Sequence, residues 1–298
     1  MKYAYFPGCS LESTAWDFDR STRAVCRALG IELEEIPAWV CCGSTPAHSH
    51  NATLAVALPV ANLQKAEAMG RPIMTACASC YARLRTANHL VRHDAQERER
   101  AQRVTGKPYQ GQVEVHHVLD VLVNHFGLDA IRQKIQRPLT GLRVASYYGC
   151  LLTRPPEVVA FDDPENPTCM DELVAALGAE PVTWPYKTEC CGASLSISHS
   201  NVVSRLGGKL LRMAGRAGAQ CVVVACPLCQ LNLDLRQDDA RKADAAVPST
   251  PVLYVTQLLG LALGLSAADL GLDALSVNPD SLFADAGIST AAAMRGAL

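Results

Sequence analysis

Thirteen cysteines in a chain of 298 residues are the side chains whose spacing most clearly indicates chemistry. Ten of them form two series of the same order: a single cysteine, a Cys-Cys-Gly triplet and a Cys-x-x-Cys pair. In both series 34 residues separate the triplet's second cysteine from the pair. The chain therefore contains two copies of one unit. The series are Cys9, Cys41, Cys42, Cys77 and Cys80, and Cys150, Cys190, Cys191, Cys226 and Cys229.

Thiolates are soft ligands that suit zinc or iron–sulfur clusters. A structural zinc ion takes four ligands, whereas each series offers five, and two of these are adjacent in the chain. Adjacent cysteines point in different directions, so the set favours a multi-iron cluster over one zinc ion. A zinc-stabilised scaffold is the non-redox alternative. The cubane ferredoxin spacing is absent, and a thioredoxin-like dithiol would leave the triplets and the repeat unexplained.

Three cysteines lie outside the repeat, and two histidines follow the triplets. Cys26, Cys169 and Cys221 are predicted to be small buried apolar side chains. His48 lies five residues after the glycine of its triplet, and His199 lies seven residues after its own. Either is a candidate to contact a substrate or a cluster, but the unequal spacing favours packing or polar contacts at a helix start. No other catalytic side chain is identified.

The elements that carry these cysteines alternate between strands and helices. Short apolar runs at 72–76 and 221–225 precede the Cys-x-x-Cys pairs and are predicted to be buried parallel strands. Each pair then lies where the carboxyl end of a strand turns into a helix, which is where open α/β sheets bind ligands. We predict an α/β fold of two pseudo-symmetric repeats, each a small parallel-sheet unit with helices and a cysteine-rich site.

The predicted domains are 1–137 and 138–271, followed by a C-terminal tail over 272–298. The second unit is longer between its first cysteine and its triplet, with 39 residues against 31. The extra length is assigned to the stretch 154–171, which is rich in proline and acidic residues and is predicted to be a surface loop.

Composition narrows the class of protein further. Apolar residues make up 49% of the chain and charged residues 19%, which excludes a disordered protein. The net charge of −2 gives no field for nucleic acid or anionic lipid. No signal peptide is recognised, and the apolar stretch 254–265 is too short to span a bilayer. We expect a soluble, cytoplasmic protein with no direct membrane span.

The doubled motif resembles the cysteine-rich CCG domain of the heterodisulfide reductase B subunits. The opening Pro7-Gly8-Cys9-Ser10-Leu11 is similar to that family as well, and the resemblance covers residue 1 to about residue 260. It implies that each series of five cysteines ligates a non-cubane [4Fe–4S] cluster, giving two clusters per chain. The spacer of 34 residues is about one shorter than the usual family pattern in both units.

The resemblance also implies an oxidoreductase in which a disulfide is cleaved or formed at the two clusters. The substrate would be a thiol or disulfide, including lipoate carried by a protein. No nucleotide-binding fingerprint is present, so electrons are expected from a ferredoxin-like iron–sulfur subunit, often accompanied by a flavoprotein. The alternative is an electron-transfer subunit of a succinate, lactate or glycolate oxidoreductase, because CCG domains occur there too.

Overall fold

The computed structural model describes residues 1–44 and 46–291, without the side chains of Pro46 and His48. Within these residues the strands form two four-stranded sheets of the same order, β2-β1-β3-β4 and β6-β5-β7-β8, with every neighbouring pair parallel. The predicted α/β fold with two repeats is confirmed. The strands are β1 (Lys2–Tyr5), β2 (Glu32–Glu35), β3 (Ile73–Thr75), β4 (Val115–His117), β5 (Arg143–Tyr147), β6 (Glu180–Pro181), β7 (Cys221–Val224) and β8 (Val252–Tyr254).

Helices connect the strands of both units, and a π-helical segment over Val121–Gly127 follows α7. The helices of the first unit are α1 (Gly8–Leu11), α2 (Trp16–Leu29), α3 (Pro46–His50), α4 (Ala52–Met69), α5 (Ala78–His93), α6 (Ala95–Thr105), α7 (Val118–Asp120) and α8 (Leu128–Arg132). Those that follow are α9 (Pro156–Val159), α10 (Cys169–Ala176), α11 (Leu195–Ser198), α12 (Ser200–Arg216), α13 (Pro227–Asp234), α14 (Gln237–Ala243), α15 (Val255–Ala262), α16 (Ala267–Leu270) and α17 (Asp280–Asp285), with a 3₁₀ turn at Leu272–Ala274.

The central strands β3 and β7 are short apolar runs, and each follows a glycine at the end of the preceding helix. Residues of β3 and β7 are buried throughout, as expected of strands covered on both faces. Asn51 caps α4 by accepting the backbone N–H of Leu54, and Gly70 ends this helix in the left-handed conformation. These caps fix where α4 begins and ends between β2 and β3.

The two units exchange helix contacts across their interface. Helix α2 of the first unit packs against α15 of the second, and α10 of the second packs against α8 of the first. Ser21 on α2 and Thr256 on α15 join their hydroxyl oxygens at 2.7 Å in a buried hydrogen bond. The reciprocal pattern fixes the two sheets relative to each other.

The stretch 154–171 is more ordered than the surface loop that the sequence predicts. It contains α9, whose Val158 and Val159 are buried and whose carbonyl groups accept hydrogen bonds from α5. The Tyr81 hydroxyl donates to the Val159 carbonyl at 3.0 Å, and Arg85 Nε donates to that of Val158 at 2.9 Å. The loop prediction is wrong for α9, because this part of the insertion is an interface element.

The segment after α16 also packs on the second unit. The backbone N–H groups of Ser276 and Val277 donate to the carboxylate of Asp234, and Phe283 is buried. Across the described part of the chain, no helix combines the length and the apolarity needed to cross a bilayer.

Candidate metal centre

All three cysteine positions of a series follow neighbouring strands at one edge of a sheet. In the first unit Cys9 lies in α1 after β1, the triplet follows β2, and the pair begins α5 after β3. Strands β2 and β3 pair with opposite sides of β1, so the chain changes direction across the sheet between β2 and β3. Carboxyl ends at such a switch point form the ligand crevice of α/β sheets. The second unit repeats this arrangement.

The thiols of the first series contact one another. The Sγ atoms of Cys42 and Cys80 lie 3.3 Å apart, and Cys80 also hydrogen-bonds Cys77. Cys41 hydrogen-bonds Cys42 and lies within the electrostatic reach of Cys9. The structure therefore brings all five predicted positions of this series together.

The second series is assembled in the same way. The Sγ atoms of Cys191 and Cys229 lie 3.6 Å apart, Cys150 hydrogen-bonds Cys190, and Cys226 hydrogen-bonds Cys229. The matching contacts Cys42–Cys80 and Cys191–Cys229 show that the duplication extends to side-chain geometry.

The two sets of five cysteines come together at the interface between the units. Cys77, the first cysteine of one pair, lies beside Cys226, the first cysteine of the other, and their side chains interact. Both side chains are buried. The ten cysteines thus form two adjoining sites with a common buried floor.

Burial is graded across each site. Six thiols form the buried floor, whereas Cys9 and Cys190 are exposed and Cys41 and Cys150 are intermediate. The outer edge of each site is therefore accessible to a small molecule, while its inner edge is shielded from water. The buried thiols are Cys42, Cys77, Cys80, Cys191, Cys226 and Cys229.

Hydrogen bonds between thiols favour the thiolate at selected positions. Those from Cys41 and Cys80 hold the pKa of Cys42 well below its ordinary value. The hydrogen bond from Cys150 lowers the pKa of Cys190 to about 6, and that from Cys229 lowers the pKa of Cys191. The thiolate is the form that binds a metal, so Cys42, Cys190 and Cys191 favour ligation, whereas the hydrogen bond with Cys42 and burial raise the pKa of Cys41.

The donor set fits an iron–sulfur group. Five thiols per site exceed the four that a tetrahedral zinc ion takes. The hydroxyl oxygen of Ser79, inside the first Cys-x-x-Cys pair, is buried and has no hydrogen-bond partner among the described residues. A buried hydroxyl normally has a partner, and an inorganic sulfide beside the pair would supply an acceptor.

The three cysteines outside the repeat stay apart from the sites. Cys26 lies within α2, Cys169 begins α10 and Cys221 begins β7, and all three are buried. Burial raises the pKa of Cys26 and of Cys221 to about 12. These thiols stay protonated, as expected of small apolar side chains. His199 is exposed and occupies the N-cap position of α12 without a capping side-chain hydrogen bond. Its Nδ1 lies 2.9 Å from the Ser198 hydroxyl, and the side chain of His48 lies outside the described residues.

Two residues that the sequence analysis missed lie beside the triplet thiols. Asn232 donates from Nδ2 to the Sγ of Cys191 at 3.4 Å. Arg83 contributes to the low pKa of Cys42 through its positive charge, after the hydrogen bonds from the neighbouring thiols. Both lie three residues after the last cysteine of a pair, about one helical turn on. That shared offset was the signal available in the sequence.

The fold and these sites define a duplicated, cysteine-rich α/β protein. The chain matches the family described as a cysteine-rich domain, CCG, over residues 3–85 and again over 144–234. It therefore belongs to the CCG family, with two copies of the domain, and its relatives include heterodisulfide reductase B subunits.

Two relatives align along nearly the whole chain. The 8-methylmenaquinol:fumarate reductase membrane anchor subunit of Wolinella succinogenes is 35% identical over 273 residues, which cover 91% of this chain and 95% of the relative. The B subunit of the ferredoxin:CoB-CoM heterodisulfide reductase of Methanosarcina mazei is 31% identical over 278 residues, covering 91% and 92%. A crystal structure of a hypothetical protein from Helicobacter pylori shares the fold, with a TM-score of 0.73 and 12% identity over 93% of this chain; the match spans 52% of that longer chain.

Proposed function

We propose that the chain is the iron–sulfur catalytic subunit of a heterodisulfide-reductase-like complex. One non-cubane [4Fe–4S] cluster would be held by the five cysteines of the first domain, residues 1–137, and a second by those of the second domain, residues 138–271. The observation that carries the proposal is the meeting of two five-thiol sites at Cys77 and Cys226. The similarity to a heterodisulfide reductase B subunit supports the same cofactors.

Cleavage of a disulfide consumes two electrons and two protons and yields two thiols. When bound, the two clusters would together supply the two electrons. The contact between Cys77 and Cys226 keeps the two sites adjoining, so that both can serve one substrate. The exposed edges at Cys9 and Cys190 leave room for a sulfur compound, either free or carried on lipoate by a protein. The buried floor limits the access of water.

The electrons would come from a partner. Both relatives bear the names of subunits of reductase complexes, which supports assembly with other chains. We propose a ferredoxin-like iron–sulfur subunit as the immediate donor, with a flavoprotein behind it. We propose a cytoplasmic location, because an odd number of cysteines, ten of them in two ligand series, is typical of a reducing compartment rather than of a disulfide framework.

A second candidate is an electron-transfer subunit whose catalytic step takes place on another chain. The observation that favours it is the 35% identity to a subunit of a fumarate reductase. In that case the clusters would pass electrons without binding a disulfide, and the exposed cysteine edges would be covered by a neighbouring subunit.

The test begins with iron, zinc and acid-labile sulfide in anaerobically purified protein. About eight irons per chain with matching sulfide are expected for two four-iron clusters, and zinc without sulfide would reject both redox functions. Reduced viologen dye then serves as the electron donor for disulfide cleavage. Turnover supports the catalytic subunit, whereas clusters that are reduced without turnover favour the electron-transfer subunit.

Variants assign the two sites separately. Cys42→Ser and Cys191→Ser should each remove the paramagnetic signal of one cluster, and each should abolish turnover. Cys26→Ala, which removes a buried thiol outside the repeat, is the matched control. Full turnover in Cys42→Ser would contradict the need for both clusters.

A further inference from the structure

A second group of potential metal ligands lies beyond the last strand of the first sheet. His116 is on β4, Asp120 ends α7 and His125 lies in the π-helical segment. Each offers one ligand atom, and these atoms lie within 4.8 Å of one another. His116 Nδ1 is 2.9 Å from Asp120 Oδ2, and His125 Nε2 is 3.7 Å from the same oxygen.

The π-helical turn is what brings Asp120 and His125 together. In an α-helix, residues five apart point about 140° away from each other. In a π-helix the hydrogen bonds run between residues five apart, so that these residues share a face. The segment over Val121–Gly127 has this wider turn. Such turns are rare in proteins as a whole, but those that occur are often found at functional sites.

Neighbouring polar groups orient all three side chains. His116 Nε2 lies 3.3 Å from the carboxylate of Glu114, and His125 Nδ1 lies 3.4 Å from the hydroxyl of Tyr3. Asn124 Nδ2 donates to the second oxygen of Asp120 at 2.8 Å. The atoms left facing one another are one nitrogen of each histidine and one carboxylate oxygen. Partners on the far nitrogen are typical of histidines that bind metals.

A simple ion pair accounts for only part of this cluster. Asp120 is within hydrogen-bond distance of His116, but His125 Nε2 at 3.7 Å is not within that distance of the carboxylate. The two imidazole rings are only 4.3 Å apart between centroids. Two protonated rings would repel each other at this distance, whereas one shared cation would satisfy both.

The cluster opens towards solvent on one side. His116 and His125 line a surface cavity of about 610 Å³ that also contains His89 and His93, and the lining contains no cysteine. The side chains of His116 and Asp120 are 13% and 14% exposed, and that of His125 is 34% exposed. An ion held from the protein side would keep a coordination position facing the cavity, where water can bind.

We propose that His116, Asp120 and His125 bind a divalent transition-metal ion, with Zn²⁺ the best match, at a site separate from the cysteines. Two imidazoles and one carboxylate are a ligand set that zinc takes with a water molecule as the fourth ligand. The donor spacing in a tetrahedral zinc site is about 3.3 Å, given metal–ligand distances of about 2.0–2.1 Å. The spacings to Asp120 of 2.9 and 3.7 Å lie on either side of that value.

The test measures zinc, iron and sulfide in the same samples. Anaerobically purified protein is equilibrated with a micromolar excess of Zn²⁺ and dialysed, and the metals are then counted per chain. Asp120→Ala and His125→Ala should each retain about one zinc less than the wild type, with iron and sulfide unchanged. His89→Ala, which removes a histidine from the same cavity, is the matched control and should retain the wild-type amount.

Thermal unfolding gives a second readout. Added Zn²⁺ should raise the unfolding temperature of the wild type and of His89→Ala. It should not raise that of His125→Ala or of the milder His125→Gln, because only a bound ion stabilises the folded state. Equal zinc in the wild type and both alanine variants would overturn the proposal. Zinc loss that always accompanies iron loss would overturn it too, since the ion would then belong to the cysteines. Neither result bears on disulfide turnover.

Discussion

A Cβ atom built on Gly8 would lie 2.8 Å from the Sγ of Cys80, a distance that real Cβ atoms essentially never show. The second unit repeats the relationship, with 2.9 Å between a Cβ on Gly149 and the Sγ of Cys229. Both glycines directly precede the first cysteine of a series and have a positive φ. The backbone that carries the first cysteine therefore rests directly on the last thiol of the pair.

Replacing Gly8 with alanine should disrupt the first site and spare the second. The new methyl group would push Cys80 away from the first cysteine, so Gly8→Ala is expected to lose about half of the iron. Iron analysis and paramagnetic resonance of the purified variant measure this loss. Gly30→Ala is the matched control, because Gly30 has a similar φ of +78° but no atom within 4 Å of the added Cβ. Equal iron loss in both variants would assign the effect to backbone strain.

The two sites differ in the residue one helical turn after the pair, and this difference should separate their reduction potentials. Arg83 places a partly buried positive charge near Cys42, whereas the corresponding residue of the second unit is the neutral Asn232. A positive charge stabilises an added electron. Arg83→Gln is therefore expected to lower the potential of the first site, on the order of tens of millivolts, and to leave the second unchanged.

A redox titration followed by paramagnetic resonance resolves the two potentials. Arg103→Gln, which removes an exposed arginine at the end of α6, controls for the change in net charge. A shift of both potentials in Arg83→Gln would contradict a local effect, as would an equal shift in the control.

The order of strands and helices was predictable, because each Cys-x-x-Cys pair follows a short apolar run. Parallel strands end at one edge, so the grouping of each series also followed from the pattern. The contact between Cys77 and Cys226 was not predictable. It depends on the packing of α2 against α15, a long-range contact between units that has no local signature.

Helix α9 and the cluster of His116, Asp120 and His125 could not be predicted from the sequence, because the local pattern of residues gives no signal for either. The insertion that contains α9 begins with consecutive prolines and is rich in acidic residues, which are signals of a loop. Its apolar part, Val158 and Val159, is too short to show a period. His116 and Asp120 have the helical spacing of four residues, but His125 lies five residues after Asp120, and only the π-helical turn places these last two on one face.

The interface between the units depends on a stacked aromatic pair. Phe18 on α2 and Tyr254 at the end of β8 have ring centroids 4.0 Å apart with an angle of 5° between the rings, and both are buried. Phe18→Ala would leave a cavity and should reduce the free energy of unfolding by about 3–5 kcal/mol. Anaerobic urea unfolding measures this loss. Trp16→Ala on the same helix removes an aromatic ring that is 42% exposed and should cost much less; equal costs would contradict the importance of the stack.

Asp17 also lies at this interface, where the residue is buried with 4% of its surface exposed. Burial raises the pKa of Asp17 from 3.8 to about 6, although Gln257 Nε2 donates a hydrogen bond to it at 3.2 Å. The folded state therefore holds the proton more tightly than the unfolded state does. Its stabilising contribution is present below the unfolded pKa and is lost as the pH rises through the folded pKa.

Asp17→Asn should abolish the loss of stability at rising pH, because asparagine keeps the shape of the side chain and its hydrogen bond without acquiring a charge. The variant and the wild type should be similarly stable near pH 4, and the variant should be more stable at pH 7 by roughly 2–3 kcal/mol, from a pKa difference of about two units. Unfolding measured from pH 4 to pH 7 gives the two curves. Asp273→Asn, at an exposed carboxylate, should follow the wild-type curve throughout. A difference between Asp17→Asn and the wild type that does not change with pH would show that burial of the charge is not its cause.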